Sequence, residues 1–396
     1  MMFKIDKFIK NFLISNKKLL YLLITTFTCI LIWYVIQNIY IKITGVTGDQ
    51  DFYLGLMGDS KPSLRLTSRT GITYSIFEAL RDLVGIKYTT LIIPIFTSLI
   101  ISNLIYSKWK YLPKEAFIIN SFYPHLWVWL CIASKESLLL LPSFLIVFYS
   151  ARSIYLKPNL ATKLILTISL LFFSYFRPHY AISYLWIVSS TFIIYKKIDL
   201  NILRSISRKN YIFIILVCIS IVSLFFLVIF EESTSNLIVN IFKEASNFHT
   251  WAHGDTTRYY IKYSNISEIS ENLAWGLPTS IIGFTPKEVI LNPKYFPAFI
   301  EGSISLFMII FLIFKLFKFA RNSEKIRFVL FFIFLPSLFF ALISHYPLGL
   351  FNPGTSIRFK QALHSLIYYY PLMILTFDKY EKKLKSYEDN KIKEII

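Results

Sequence analysis

The stretch LLYLLITTFTCILIWYVIQNIY, residues 19–40, decides the fold. It holds no Asp, Glu, Lys or Arg. A helix rises 1.5 Å per residue, so about 20 apolar residues cross the roughly 30 Å of bilayer hydrocarbon. Lys4, Lys7, Lys10, Lys17 and Lys18 precede the stretch, as they would a signal peptide. The run is too long for one, and no small-x-small cleavage site follows it. It reads as an uncleaved transmembrane helix whose start is cytoplasmic.

Nine more apolar runs follow, at 88–106, 116–133, 138–150, 164–176, 180–195, 210–230, 299–314, 328–348 and 362–377. The sequence therefore predicts an all-α, polytopic membrane protein of about ten transmembrane helices, one integral membrane domain over 1–396. Four runs are short. The pairs that flank Lys135 and Glu136, and Arg177 to His179, read either as two crossings or as a re-entrant hairpin, because 10–14 residues need not span. Composition agrees: 55% of residues are hydrophobic and only 16% charged, against about a quarter charged in soluble domains.

The net charge of +19 does not mark a nucleic-acid binder, because the basic residues lie in short inter-helix segments and form no single patch. With the N-terminus inside, 27 of the 42 Lys and Arg fall on the cytoplasmic side, although the external segments are longer. The positive-inside rule then puts both termini, including the Lys/Glu-rich tail 378–396, in the cytoplasm of a bacterial inner-membrane protein. Cys29, Cys131 and Cys218 all lie within apolar runs and read as small packing residues without a disulfide or metal role.

Two external regions stand out. Region 41–87 opens with GVTGDQDFY at 45–53. It continues into an amphipathic stretch, 72–84, with Ile72, Ile76, Phe77, Leu80 and Leu83 at helical spacing, which predicts a helix on the outer membrane interface. Region 231–298 is long and carries Phe248, Trp251, Tyr259, Tyr260, Tyr263 and Trp275. That aromatic content argues for a folded external loop.

Charged side chains collect at the predicted outer ends of the helices. Asp49 and Asp51 follow helix one, Glu136 lies between helices three and four, Arg177 and His179 between five and six, and Arg358 and Lys360 between nine and ten. Arginine matches phosphate oxygens with a two-pronged fork. A carboxylate serves as a general base or holds a divalent cation, Mg or Mn, between phosphates; Asp49 and Asp51 are the pair for that. The bland readings are solvated acids, a local Lys135–Glu136 pair and arginines that reach lipid headgroups. In the large loop, His249, Trp251, His253 and Arg258, with His179, are the candidates for substrate contact. His249 and His253 have one-face helical spacing with Asp255 nearby, but no His-Glu-x-x-His pattern accompanies them.

This layout resembles the membrane-embedded GT-C glycosyltransferases and the related Wzy-type O-antigen polymerases. In that family an acidic motif follows helix one, as Asp49-Gln-Asp51-Phe-Tyr53 does here. A second external loop carries an acid, as Ser134-Lys-Glu136 does. An Arg-Pro follows a later helix, as in Phe176-Arg-Pro178, and an Arg-Phe precedes the last helix, as in Ile357-Arg-Phe359. The resemblance implies a GT-C-like fold. It also implies transfer of a sugar or glycan from an undecaprenyl phosphate or diphosphate carrier at the periplasmic face. Asp49, Asp51 and Glu136 would be catalytic, and Arg177, Arg358 and Lys360 would bind phosphate. O-antigen or capsule repeat-unit polymerisation leads, with a chain-length regulator as partner. Single-sugar transfer stays open, as do a flippase for the same lipid-linked glycan and an accessory subunit without chemistry.

Overall fold

The computed structural model describes residues 19–20, 22–44, 50–56, 68–108, 124–197, 232–251 and 256–393. Among the described residues all regular structure is helical and there is no strand. Five helices among the described residues are long and apolar enough to cross a membrane: Leu22–Tyr40, Ile86–Leu104, Lys135–Tyr155, Pro293–Ala320 and Glu324–Phe351. The chain is thus a multi-pass helical membrane protein. The run 210–230 lies outside the described residues, and of 116–133 only the helix Pro124–Cys131 is described.

The elements are named in chain order. The first five are α1 (Leu22–Tyr40), α2 (Gln50–Tyr53), α3 (Arg69–Val84), α4 (Ile86–Lys108) and α5 (Pro124–Cys131). Next come α6 (Lys135–Tyr155), α7 (Leu160–Phe176), α8 (Pro178–Lys197) and α9 (Glu232–Trp251). They are followed by α10 (Ile266–Glu271), α11 (Leu273–Ile282), α12 (Pro286–Leu291) and α13 (Phe296–Ala320). The last are α14 (Glu324–Phe351), α15 (Pro353–Lys360) and α16 (Tyr370–Lys393). The chain divides into two compact units: residues 1–145 with 171–177, and residues 146–170 with 178–396.

In the first unit, the amphipathic stretch of the first external region is helical as α3. Ser68 caps it by accepting a hydrogen bond from the Gly71 amide, and Gly85 ends it at a φ of 79° that favours glycine. Its Phe77 packs with Tyr53, Leu54 and Ala133, joined by Ile93 and Leu138. The side-chain amide of Gln37, inside α1, donates to the Cys131 carbonyl (2.7 Å) and to Gln50 Oε1 (3.0 Å). A polar side chain in a membrane-crossing helix is costly unless paired. This pairing binds α1, α2 and the end of α5 together.

In the second unit, the described residues of region 231–298 include the helices α9 to α12. Its apolar α11 is 10 residues long, too short to span. A Cβ on Gly302 of α13 would overlap the Ile282 carbonyl, and one on Gly349 of α14 would press on Ser280. Both glycines let backbones approach closely, as small residues do between membrane helices. They seat the C-terminal end of α11 against α13 and α14.

Candidate functional site

Glu136 occupies the first turn of α6, where a carboxylate suits the positive end of the helix dipole. Ser134 starts that turn: its Oγ accepts from the Ser137 amide at 3.3 Å. The neighbouring Lys135 also reaches the first external region. It donates to Thr70 Oγ1 at the start of α3, 2.9 Å away.

The partner of Glu136 is Arg177, and both are buried, at 3% and 8% exposure. The Arg-Pro sequence explains how Arg177 comes free of a helix. A residue before proline disfavours the α conformation, so α7 stops at Phe176, and Pro178 opens α8 with the φ it already has. Arg177 is the one residue left between them.

The acidic segment after helix one comes to the same place. Tyr53 and Leu54 pack in one cluster with Ala133 and Leu138, on either side of Glu136. Asp51, in the first turn of α2, is half-buried. The first unit therefore gathers residues from three of the sequence motifs, at 51–54, 133–138 and 177. Asp49 lies outside the described residues, and with it the pair expected to hold a cation. Among the described residues no three His, Cys, Asp or Glu side chains gather as a metal site.

The second unit holds a buried polar network around the end of α11. Arg258, 3% exposed, forks onto Glu288: Nε donates to Oε1 (2.6 Å) and Nη2 to Oε2 (2.7 Å). It also donates to the carbonyls of Leu350 (2.8 Å) and Gly283 (2.6 Å). Arg258, a candidate substrate contact, directs these donors at the protein's own acceptors and clamps the loop to the end of α14. Burial opposes the charge of Glu288, but the Arg258 bonds and the Thr285 amide outweigh it and hold the carboxyl below its ordinary range.

Lys360, expected on phosphate, is buried, and its ammonium donates to the Ile281 carbonyl at 3.0 Å. Burial pushes its pKa down, against the pull of the Glu301 carboxylate. The Ser356 hydroxyl donates to the Ser280 carbonyl. His345 Nε2 lies 3.1 Å from that carbonyl and Nδ1 2.6 Å from the Tyr180 hydroxyl. A carbonyl oxygen can only accept, so the proton in that contact sits on Nε2. Carbonyls at a helix end have no intrahelical partner; here Lys360, Ser356, His345 and Arg258 supply it.

Arg358 lies on α15 and is half-buried. The His179 ring meets Tyr180 edge-on and Phe359 at a tilt, at centroid distances of 4.1 and 5.8 Å. His249 and Trp251 fall in the last turn of α9, with side chains outside the described residues, and His253 and Asp255 lie wholly outside them. Glu301 was not singled out in the sequence, although an acid inside the run 299–314 is itself a functional signal. No family model, curated protein or solved structure matches the chain.

Proposed function

We propose that the chain is a surface-polysaccharide glycosyltransferase of the bacterial inner membrane, with about ten spans and both termini cytoplasmic. On this reading it takes its donor from an undecaprenyl-linked glycan at the periplasmic face and polymerises O-antigen or capsule repeat units. One observation carries the reading: Glu136, Arg177 and the Asp51 segment, drawn from three separate motifs, gather in one unit of an otherwise apolar protein.

The chemistry needs those groups. The acceptor hydroxyl loses its proton to Glu136 as its oxygen attacks the anomeric carbon. The bond from that carbon to the carrier phosphate breaks, and the electron pair leaves with the phosphate. An arginine stabilises the charge that develops there. Carboxylate and phosphate compete for the same guanidinium fork. Carrier phosphate that takes Arg177 thus releases Glu136 to act as base. The family resemblance also assigns Arg358 to phosphate, and a chain-length regulator is a fitting partner.

Transfer of a single sugar uses the same groups. A flippase for the same glycan is favoured by a different observation, the short apolar α11 that ends among buried polar groups, since transporters build their sites from discontinuous helices. The test is complementation of a strain lacking the gene, with surface glycan resolved on gels. Glu136→Gln, inserted at the normal level, is expected to leave single repeat units without a ladder. A full ladder from that variant would remove Glu136 from the chemistry.

A further inference from the structure

From its packing, we infer that α12 with the turn after it, residues 286–294, is a lipid-binding anchor that inserts into the headgroup boundary of the outer leaflet. The orientation of α12 is fixed from inside. Thr285 and Glu288 form a reciprocal capping box, Glu288 is gripped by buried Arg258, and Val289 packs on the cluster of Phe284, Ala298 and Ile357. The ring of Tyr295 stacks on Phe284 at 4.2 Å and holds the following turn as well.

With that face committed, Ile290 and Leu291 project outward, at 79% and 75% exposure. Two adjacent large aliphatic side chains on a rigidly held surface have no partner in this unit's core. Lys287 and Lys294, both exposed, flank them; the Lys294 ammonium lies 5.1 Å from the Tyr295 ring centre. Aliphatic residues between lysines are the pattern of an interfacial segment: the hydrocarbon enters the acyl boundary while the ammonium groups stay with the phosphates.

Chain continuity says what covers the patch. The apolar span Pro293–Ala320 begins two residues after Leu291. The patch therefore sits where that span meets the headgroups. Anionic lipid phosphate matches the lysines, and no reaction has to be assumed.

The test uses full-length protein in vesicles of phosphatidylethanolamine and phosphatidylglycerol, with native cysteines replaced. A polarity-sensitive fluorophore is placed at Ile290→Cys and, as a control, at Ser267→Cys on exposed α10. The Ile290 label is expected to be quenched by lipids brominated near the top of the acyl chain and to lose quenching by aqueous iodide. The Ser267 label is expected to do the reverse. Iodide quenching at Ile290 equal to that at Ser267 overturns the anchor. So does shielding of Ile290 from both quenchers, which would mean that protein covers the patch.

Discussion

Arg258→Ala should loosen the whole segment that carries α10 to α12. The wild-type guanidinium makes two charge-assisted bonds to Glu288, at 2.6 and 2.7 Å, and two to the carbonyls of Leu350 and Gly283, at 2.8 and 2.6 Å. Truncation leaves those carbonyls buried without their donor, at about 1–3 kcal/mol each. The Glu288 side chain, 23% exposed, regains some water, so its loss is discounted. Breaking a buried pair from one side costs about 3–5 kcal/mol in total, or roughly 150- to 5,000-fold in a local opening equilibrium. Hydrogen exchange over residues 256–292 in detergent micelles reads that opening, with α13 as internal reference. Lysine keeps the charge without the fork and should recover only part of the protection. Acid should mimic the variant. Because the folded carboxyl of Glu288 is depressed below its ordinary 4.5, its contribution is complete above that value and is lost as pH falls through the folded value. Unchanged exchange in Arg258→Ala would refute the clamp.

Four further variants test other positions. Gly302→Ala would drive a methyl group into the Ile282 carbonyl; overpacking of this kind costs about 1–3 kcal/mol or more, and the melting temperature in detergent should fall clearly, whereas Gly85→Ala, with open space around it, carries only backbone strain. Arg358→Lys should retain part of the glycan transfer rate and Arg358→Ala should lose about 2–4 kcal/mol of transition-state stabilisation, roughly 30- to 1,000-fold, read as glycan chain length at matched protein level.

The sequence made the membrane class legible because hydropathy needs only composition along one strand of chain. Run 19–40 returns as Leu22–Tyr40, 299–314 lies within Phe296–Ala320, and 328–348 within Glu324–Phe351. The amphipathic stretch 72–84 is likewise inside α3. Run 138–150 is longer than its hydropathy suggests: α6 takes in Lys135 and Glu136, since a charge joins an apolar helix when a distant partner such as Arg177 meets it. Pairing across 41 residues leaves no periodic trace. Run 164–176 remains short as the 17-residue α7, while 180–195 and 362–377 are helical but are not among the five long apolar helices. Within 231–298, α11 was hidden because ten apolar residues look like loop packing. Its role depends on Gly302 and Gly349, which belong to other helices. Lys360 reads as a phosphate ligand and Arg258 as a substrate contact; their acceptors in the structure include backbone carbonyls, which leave no trace in the sequence because every residue supplies one.

The most direct test is purified full-length protein in vesicles, given an undecaprenyl-diphosphate-linked repeat unit on the periplasmic-equivalent side. Chain length is read on gels and release of the carrier diphosphate is read chemically. Glycosyl transfer at the Glu136–Arg177 site predicts that chains grow with one carrier released per added unit, and that Glu136→Gln and Arg177→Ala abolish both. Movement of the intact lipid-linked unit across the bilayer, with no carrier released and no longer product, would contradict it.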